Sequence, residues 1–262
     1  MNQELIKRLR EKESKMIEIR RYLHEHPELS FHETETPQYI ADFYKEKDCD
    51  VETNVGPNGV KVTIDSGKSG KTIAIRADFD ALPIEEQTGL SFASKNKGVM
   101  HACGHDAHTA YMLILGETLI EMKEQFKGKV VIIHQPAEEM PPGGAQGMIK
   151  DGVLDGVDHV LGAHVMSTME AGKVFYKEGY VQTGRAYFKL VVQGKGGHGS
   201  SPHMANDAIV AGSNFVTTAQ TVVSRRLNPF ETGVVTIGSF DGKGQFNVIK
   251  DQIEIEDRKS TR

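Results

Sequence analysis

The run KVVIIHQ at residues 129–135 limits the possible folds of this chain more than any other stretch. Val130 to Ile133 are four consecutive β-branched residues with no polar alternation, the pattern of a strand buried on both faces. A sheet containing such a strand needs cover on both sides, and helices are the usual cover. GVKVTID (59–65) and KTIAIRADF (71–79) also read as strands, and HVLGAHV (159–165) is a second, weaker apolar run of the same kind. Around them lie helical patterns. Residues 2–26 carry Leu5, Ile6, Leu9, Met16, Ile17, Tyr22 and Leu23 at helical spacing and stop at Pro27. Residues 34–47 follow Thr34, an N-cap type, and Asp106 to about Phe126 carries Leu113, Leu115, Leu119 and Met122. The alternation predicts an α/β domain with a central, mostly parallel sheet flanked by helices. The segment SGKSG, between the first two strands, reads as a hairpin turn.

After residue 181 the pattern changes. RAYFKLVVQ (185–193) reads as a strand, residues 206–226 as an amphipathic helix capped by Asn206, and GVVTIGSF (233–240) and FNVIKDQIEIE (246–256) as half-exposed antiparallel strands. We therefore expect two domains, 1–181 and 182–262, the second a small α+β unit. A β-α-β-β order normally goes on to another helix and strand, so the sequence reads as ending within that unit.

Composition removes several function classes. Lys and Arg total 31 against 36 acids, a net charge of −5, which offers no electrostatic footprint for nucleic acid or an anionic membrane. Two cysteines, Cys49 and Cys103, cannot build a disulfide scaffold. The opening residues lack a leader's apolar stretch, and no apolar run approaches about 18 residues, so a cytoplasmic location is expected. GKSGKT at 67–72 has the tail of a phosphate-binding loop, but Asp65 stands where its first glycine belongs and a strand follows instead of a helix. Gly194, Gly196 and Gly199 match a dinucleotide fingerprint without the acid that would hold a ribose.

What remains is a set of metal-type ligands. MHACGHDAH places His101, Cys103, His105, Asp106 and His108 together, and a thiolate and an imidazole two residues apart across Gly104 can point at one ion. The same residues also fit a buried cysteine with surface histidines. Glu138 and Glu139 follow the apolar strand in QPAEE. They fit a solvated loop, or one ligand beside one partly buried general base. His164 ends another strand, where a lone histidine is commonly structural. Asp78 and Asp80 end the strand at 71–79. Strand ends of one α/β sheet are where ligands bind, so the convergence of all four points to a metal centre.

RADFDALPI, HACGHDAH, QPAEE, GAHV, GKGGHGSSPH and FNVI together resemble the zinc-dependent aminoacylase and carboxypeptidase family. The nearest subgroup is that of the N-acyl-amino-acid amidohydrolases, such as hippurate and auxin-conjugate hydrolases. The resemblance implies two divalent metal ions (zinc, or manganese, cobalt or nickel) in an α/β catalytic domain, and an inserted ferredoxin-like lid domain that makes a homodimer. It implies Cys103, His105, Glu139 and His164 as metal ligands, Glu138 as general base and Asp80 as the acid that orients a ligand. Asp78 stands where most of the wider family has a histidine. His198 is implied to polarise the scissile carbonyl of the partner's substrate, although by itself it reads as a surface histidine in a glycine-rich loop. Asn247 is implied to hold substrate, a small N-acyl amino acid or dipeptide. Family members run on past the lid to supply a further metal-binding histidine. The alternative expectation is therefore a truncated, catalytically incompetent fragment that acts as a pairing or metal-binding remnant.

Overall fold

The computed structural model describes residues 2–179, 181 and 184–261, which form two compact units, Met1–Glu170 and Ala171–Arg262. The boundary expected at 181–182 falls partly outside the described residues.

The first unit opens with α1 (Asn2–Glu11) and α2 (Glu13–Glu25), so the single helix expected over 2–26 is broken at Lys12. Next is α3 (Glu35–Tyr44). Thr34 sits at its N-cap position, but its side chain makes no capping bond. The Glu28 carboxylate instead accepts the amides of Thr34, Glu35 and Thr36 at 2.8–3.0 Å, satisfying three otherwise orphaned donors. The strands β1 (Asp50–Val55), β2 (Gly59–Asp65) and β3 (Thr72–Asp78) follow, then α4 (His105–Glu121), β4 (Lys129–Gln135), α5 (Gly144–Lys150) and β5 (His159–Gly162).

These five strands form one mixed sheet in the order β1-β2-β4-β3-β5, within the expected α/β class. The pairings of β4 with β3 and β3 with β5 are parallel, whereas β1–β2 and β2–β4 are antiparallel. The expected β2–β3 hairpin does not form, because β4 lies between the two strands. The doubly apolar β4 takes the central place, where both its faces can be buried. Residues 66–71 therefore bridge across its entry point, and Ser66 binds the Gly128 carbonyl through its hydroxyl at 2.8 Å.

Alternate β4 residues feed two different cores. Ile132 joins Ile40, Tyr44, Val60, Val62, Ile64, Phe79 and Leu113 under α2, α3 and α4, while Val131 and Ile133 join Val55, Ala74, Met148 and Val153 on the other face. Helix α4 is buried on nearly all sides, so its sequence shows no narrow apolar stripe. Gly116 lets it settle there, since a Cβ would lie 2.4 Å from the Tyr44 hydroxyl and 2.6 Å from Ile132.

The second unit holds β6 (Gly184–Gln193), β7 (Gly197–His198), α6 (Ala208–Ala219), β8 (Gly233–Asp241), β9 (Val248–Ile249) and β10 (Gln252–Thr261). β10 lies between β6 and β8, antiparallel to both, and Ile253 and Ile255 pack with Ala208, Phe215 and Val216 of α6. The strand expected over 246–256 divides into β9 and β10. The cap of α6 is Asp207, not Asn206: its carboxylate accepts the amides of Ile209 and Val210, while Asn206 bridges to Lys195.

His134 is a polar exception in the first core. It is fully buried beside the Tyr44 ring and neither ring nitrogen has a hydrogen-bond partner, so burial pushes its imidazole down to about 3. The folded state keeps this ring neutral while the unfolded chain takes up a proton below about pH 6.5, so stability falls as pH drops below that value. His134→Phe should therefore gain about 1–3 kcal/mol and flatten the acid limb. Urea unfolding at pH 7.5 and pH 5 checks this, and an unchanged pH slope would refute it.

Candidate metal centre

Strand β3 delivers two acids to one end of the sheet. Asp80, two residues past Asp78, is buried and completely engaged. Its Oδ2 accepts the Ser30 hydroxyl at 2.7 Å and the Glu139 amide at 2.9 Å, and its Oδ1 lies 3.2 Å from His105 Nδ1. Burial alone would raise the Asp80 carboxyl, but the His105 contact, the Glu139 amide and Ser30 outweigh it and hold it below the usual range.

His105 opens α4, after Gly104 in the left-handed region at φ 91°. A side chain at 104 would also strike Val165, since a Cβ would fall 2.4 Å from its Cγ2. The His105 ring is fully buried, with Nδ1 also 2.9 Å from the Asp80 carbonyl and Nε2 left without a hydrogen-bond partner. Around this ring gather the other expected ligands. Cys103, His105 and His164 bring three ligand atoms within 4.8 Å of one another, and so do His105, Glu138 and Glu139. Cys103 Sγ lies 3.3 Å from His164 Nε2. A buried imidazole nitrogen without a partner, facing thiol, imidazole and carboxylate donors, fits a divalent ion of zinc or manganese type.

The two glutamates reach this place through a kink. Ala137, just past β4, adopts φ 49°, unusual for a residue with a side chain. Its amide is held by the buried Glu33 carboxylate at 2.8 Å and its carbonyl by the Gly144 amide at 3.0 Å. Burial pushes the Glu33 carboxyl up to about 7. Ser30 and Glu33 escaped the sequence reading, because their partners stand 50 and 104 residues away and their segment reads as a polar loop.

Asp78 lies against His108 and Arg76, each at 2.5 Å, with His105 Nε2 at 3.6 Å. Asp78, His105 and His108 form a third group of potential ligands. Two members of the HACGHD cluster turn elsewhere. Asp106 pairs with His24 and Arg20 at 2.8 Å, and His101 is buried near His24, outside all three groups.

His198 and Asn247 lie in the second unit, where β7 and β9 pair and the Gly199 amide donates to the Asn247 carbonyl at 2.8 Å. The Ser200 amide donates to His198 Nδ1 at 3.3 Å, which leaves the ring proton of a neutral His198 on Nε2.

The sequence pattern of the family described as peptidase family M20/M25/M40 matches residues 74–258. An N-acyl-L-amino acid amidohydrolase of Geobacillus stearothermophilus is 40% identical over 257 residues, covering 98% of this chain and 70% of its own. Among solved structures, a protein from methicillin-resistant Staphylococcus aureus is 80% identical with a TM-score of 0.82, covering 100% of this chain and 67% of its own. A Bacillus subtilis dinuclear metal binding peptidase of the M20 family is 37% identical with a TM-score of 0.71, covering 95% and 64%. The chain spans about three fifths of the length of the first curated relatives it matches. Among the described residues no helix is long and apolar enough to cross a membrane.

Two outcomes test the centre. Ser30→Ala removes a donor to a buried carboxylate and should cost about 1–3 kcal/mol in urea unfolding; no change would place Asp80 in a different network. For the His105 ring, burial opposes protonation, but contacts with Asp80, Cys103 and Asp78 outweigh it and push it up to about 11. The metal-free ring therefore carries a proton at neutral pH, and an ion at Nε2 must displace it. Manganese affinity should rise between pH 6 and pH 8, and a flat profile would exclude His105 as a ligand.

Proposed function

The chain belongs to peptidase family M20/M25/M40, and on that premise we propose that it hydrolyses the amide bond of small N-acyl amino acids or related dipeptides. The observation that carries this reading is the partnerless buried Nε2 of His105, with Cys103, His164, Glu138 and Glu139 gathered around it. The N-acyl substrate class is supported by the amidohydrolase at 40% identity, and a two-ion centre by the dinuclear relative.

In this proposal Cys103, His105, Glu139 and His164 hold two divalent ions of zinc, manganese, cobalt or nickel type. Such ions, when bound, polarise an amide oxygen and lower the pKa of water toward 7. Glu138 takes the proton of the attacking water and passes it to the departing amine nitrogen. Asp80 accepts from His105 Nδ1, which fixes that ring with Nε2 toward the ion site. His198 donates its Nε2 proton to the developing oxyanion, a donor worth about 3–4 kcal/mol in comparable sites. We assign it to the substrate of a partner copy, in a homodimer built through the second unit, and Asn247 to holding that substrate. The free thiols of Cys49 and Cys103 suit a reducing compartment, so we place the activity in the cytoplasm.

The test is amine release from N-benzoylglycine by the manganese-loaded chain. Glu138→Gln should lower turnover about 100–10,000-fold while the bound metal, measured by atomic emission, stays. Turnover at the unsubstituted rate would sink the base assignment.

A further inference from the structure

His164 has little to hold it. Strand β5 ends at Gly162, pairs among the described residues only with β3 and is exposed along its length, so the backbone that carries His164 lies beyond the last sheet hydrogen bond of β5. Any metal site that uses His164 needs that backbone fixed by other means.

Helix α4 supplies them. His108 and Tyr111 stand three residues apart on one face of the helix. The Tyr111 hydroxyl donates to the Ala163 carbonyl at 3.0 Å, and the Val165 amide donates to His108 Nε2 at 3.0 Å. The two bonds grip the chain immediately before and immediately after His164. Val165 has a second part in this: its carbonyl lies 2.5 Å from His164 Nδ1, which leaves Nε2 turned toward Cys103.

We propose that His108 and Tyr111 are positioning residues that set the metal-binding nitrogen of His164 by clamping the backbone on both sides of it. The inference rests on the metal-centre reading above. A backbone amide can only donate, so His108 Nε2 must be bare and its ring proton must sit on Nδ1. That proton faces Asp78 Oδ1, and Asp78 is in turn fixed by Arg76, whose Nε donates to Gln135. A line of contacts thus runs from the ends of β3 and β4 through Asp78 and His108 to the His164 loop. Asp78 thereby selects the one His108 tautomer able to accept the Val165 amide.

The experiment is calorimetric titration of the metal-free full chain with manganese(II), for the unsubstituted protein and for His108→Leu, His108→Gln and Tyr111→Phe. Metal-free melting temperatures are measured alongside. His108→Leu should weaken manganese binding about 10–100-fold, the range seen when groups that orient ligands are lost. His108→Gln, whose side-chain carbonyl can still accept the Val165 amide, should restore most of that loss. Tyr111→Phe should weaken binding with its metal-free melting temperature little changed. Leu and Gln variants that are equally weak would reduce His108 to a packing role and overturn the proposal, as would Leu binding as tightly as the unsubstituted chain. If His108→Leu does not fold, unaltered affinity in Tyr111→Phe overturns it instead. An unsubstituted chain that takes up no manganese would remove the metal-centre reading itself, and this inference with it. Uptake that all three variants match would remove only the clamp.

Discussion

Everything at the ligand end of the sheet depends on one buried carboxylate. Asp80 is 1% exposed, and a charge so placed is tolerated only when its oxygens are engaged. Its partners come from three separate places: Ser30 ahead of α3, His105 at the start of α4, and the amides of Glu138 and Glu139 after β4. Satisfying Asp80 therefore assembles the region. The histidine ring is turned, the glutamate loop is drawn in, and the polar loop at 28–34 is anchored by the same oxygens. Glu33 extends the principle from a second buried carboxylate, holding Ala137 in the unusual conformation that sends Glu138 and Glu139 toward His105.

The two-sided burial of β4 sets the frame for this. Because Ile132 serves one core and Val131 and Ile133 the other, β4 cannot sit at an edge, and its end must emerge beside that of β3. Parallel pairing of Asp78 with Gln135 then puts both strand exits on the same side of the sheet. Chemistry borne by residues 78–80 and 138–139 is thereby brought within reach of the N-terminus of α4, which packs across the same strands.

Much of this was legible in the sequence because it depends on local pattern. The apolar run at 129–135 named its own burial, and a thiol and an imidazole flanking Gly104 named a possible site without any structure. Elements failed to read true where a partner outside the element itself decided. Thr34 had the chemistry of a cap, but Glu28 reaches over and does that work. SGKSG had the chemistry of a hairpin turn, and the insertion of β4 overrode it. Asn206 yielded to Asp207 by one position because Asn206 is committed to the bridge with Lys195. At the site, ligand-type residues stood out by type, whereas Ser30, Glu33, His108 and Tyr111 act through bonds to backbone or to other side chains. Only His108 stood in a marked cluster, and there as a possible ligand; nothing in the neighbourhoods of the other three marks them.

The separation of β2 from β3 also governs the order in which the chain can assemble. Six residues join two strands that run antiparallel, so β2 is the nearest pairing choice for β3 as soon as both leave the ribosome. The native sheet keeps them apart and waits for residues 129–135, synthesised some fifty residues later. A nascent β2–β3 ribbon would be a local trap that must open before its true neighbour can enter. The polar, glycine-bearing bridge at 66–71 suits this order of events, since it closes a wide span without rewarding the narrow one.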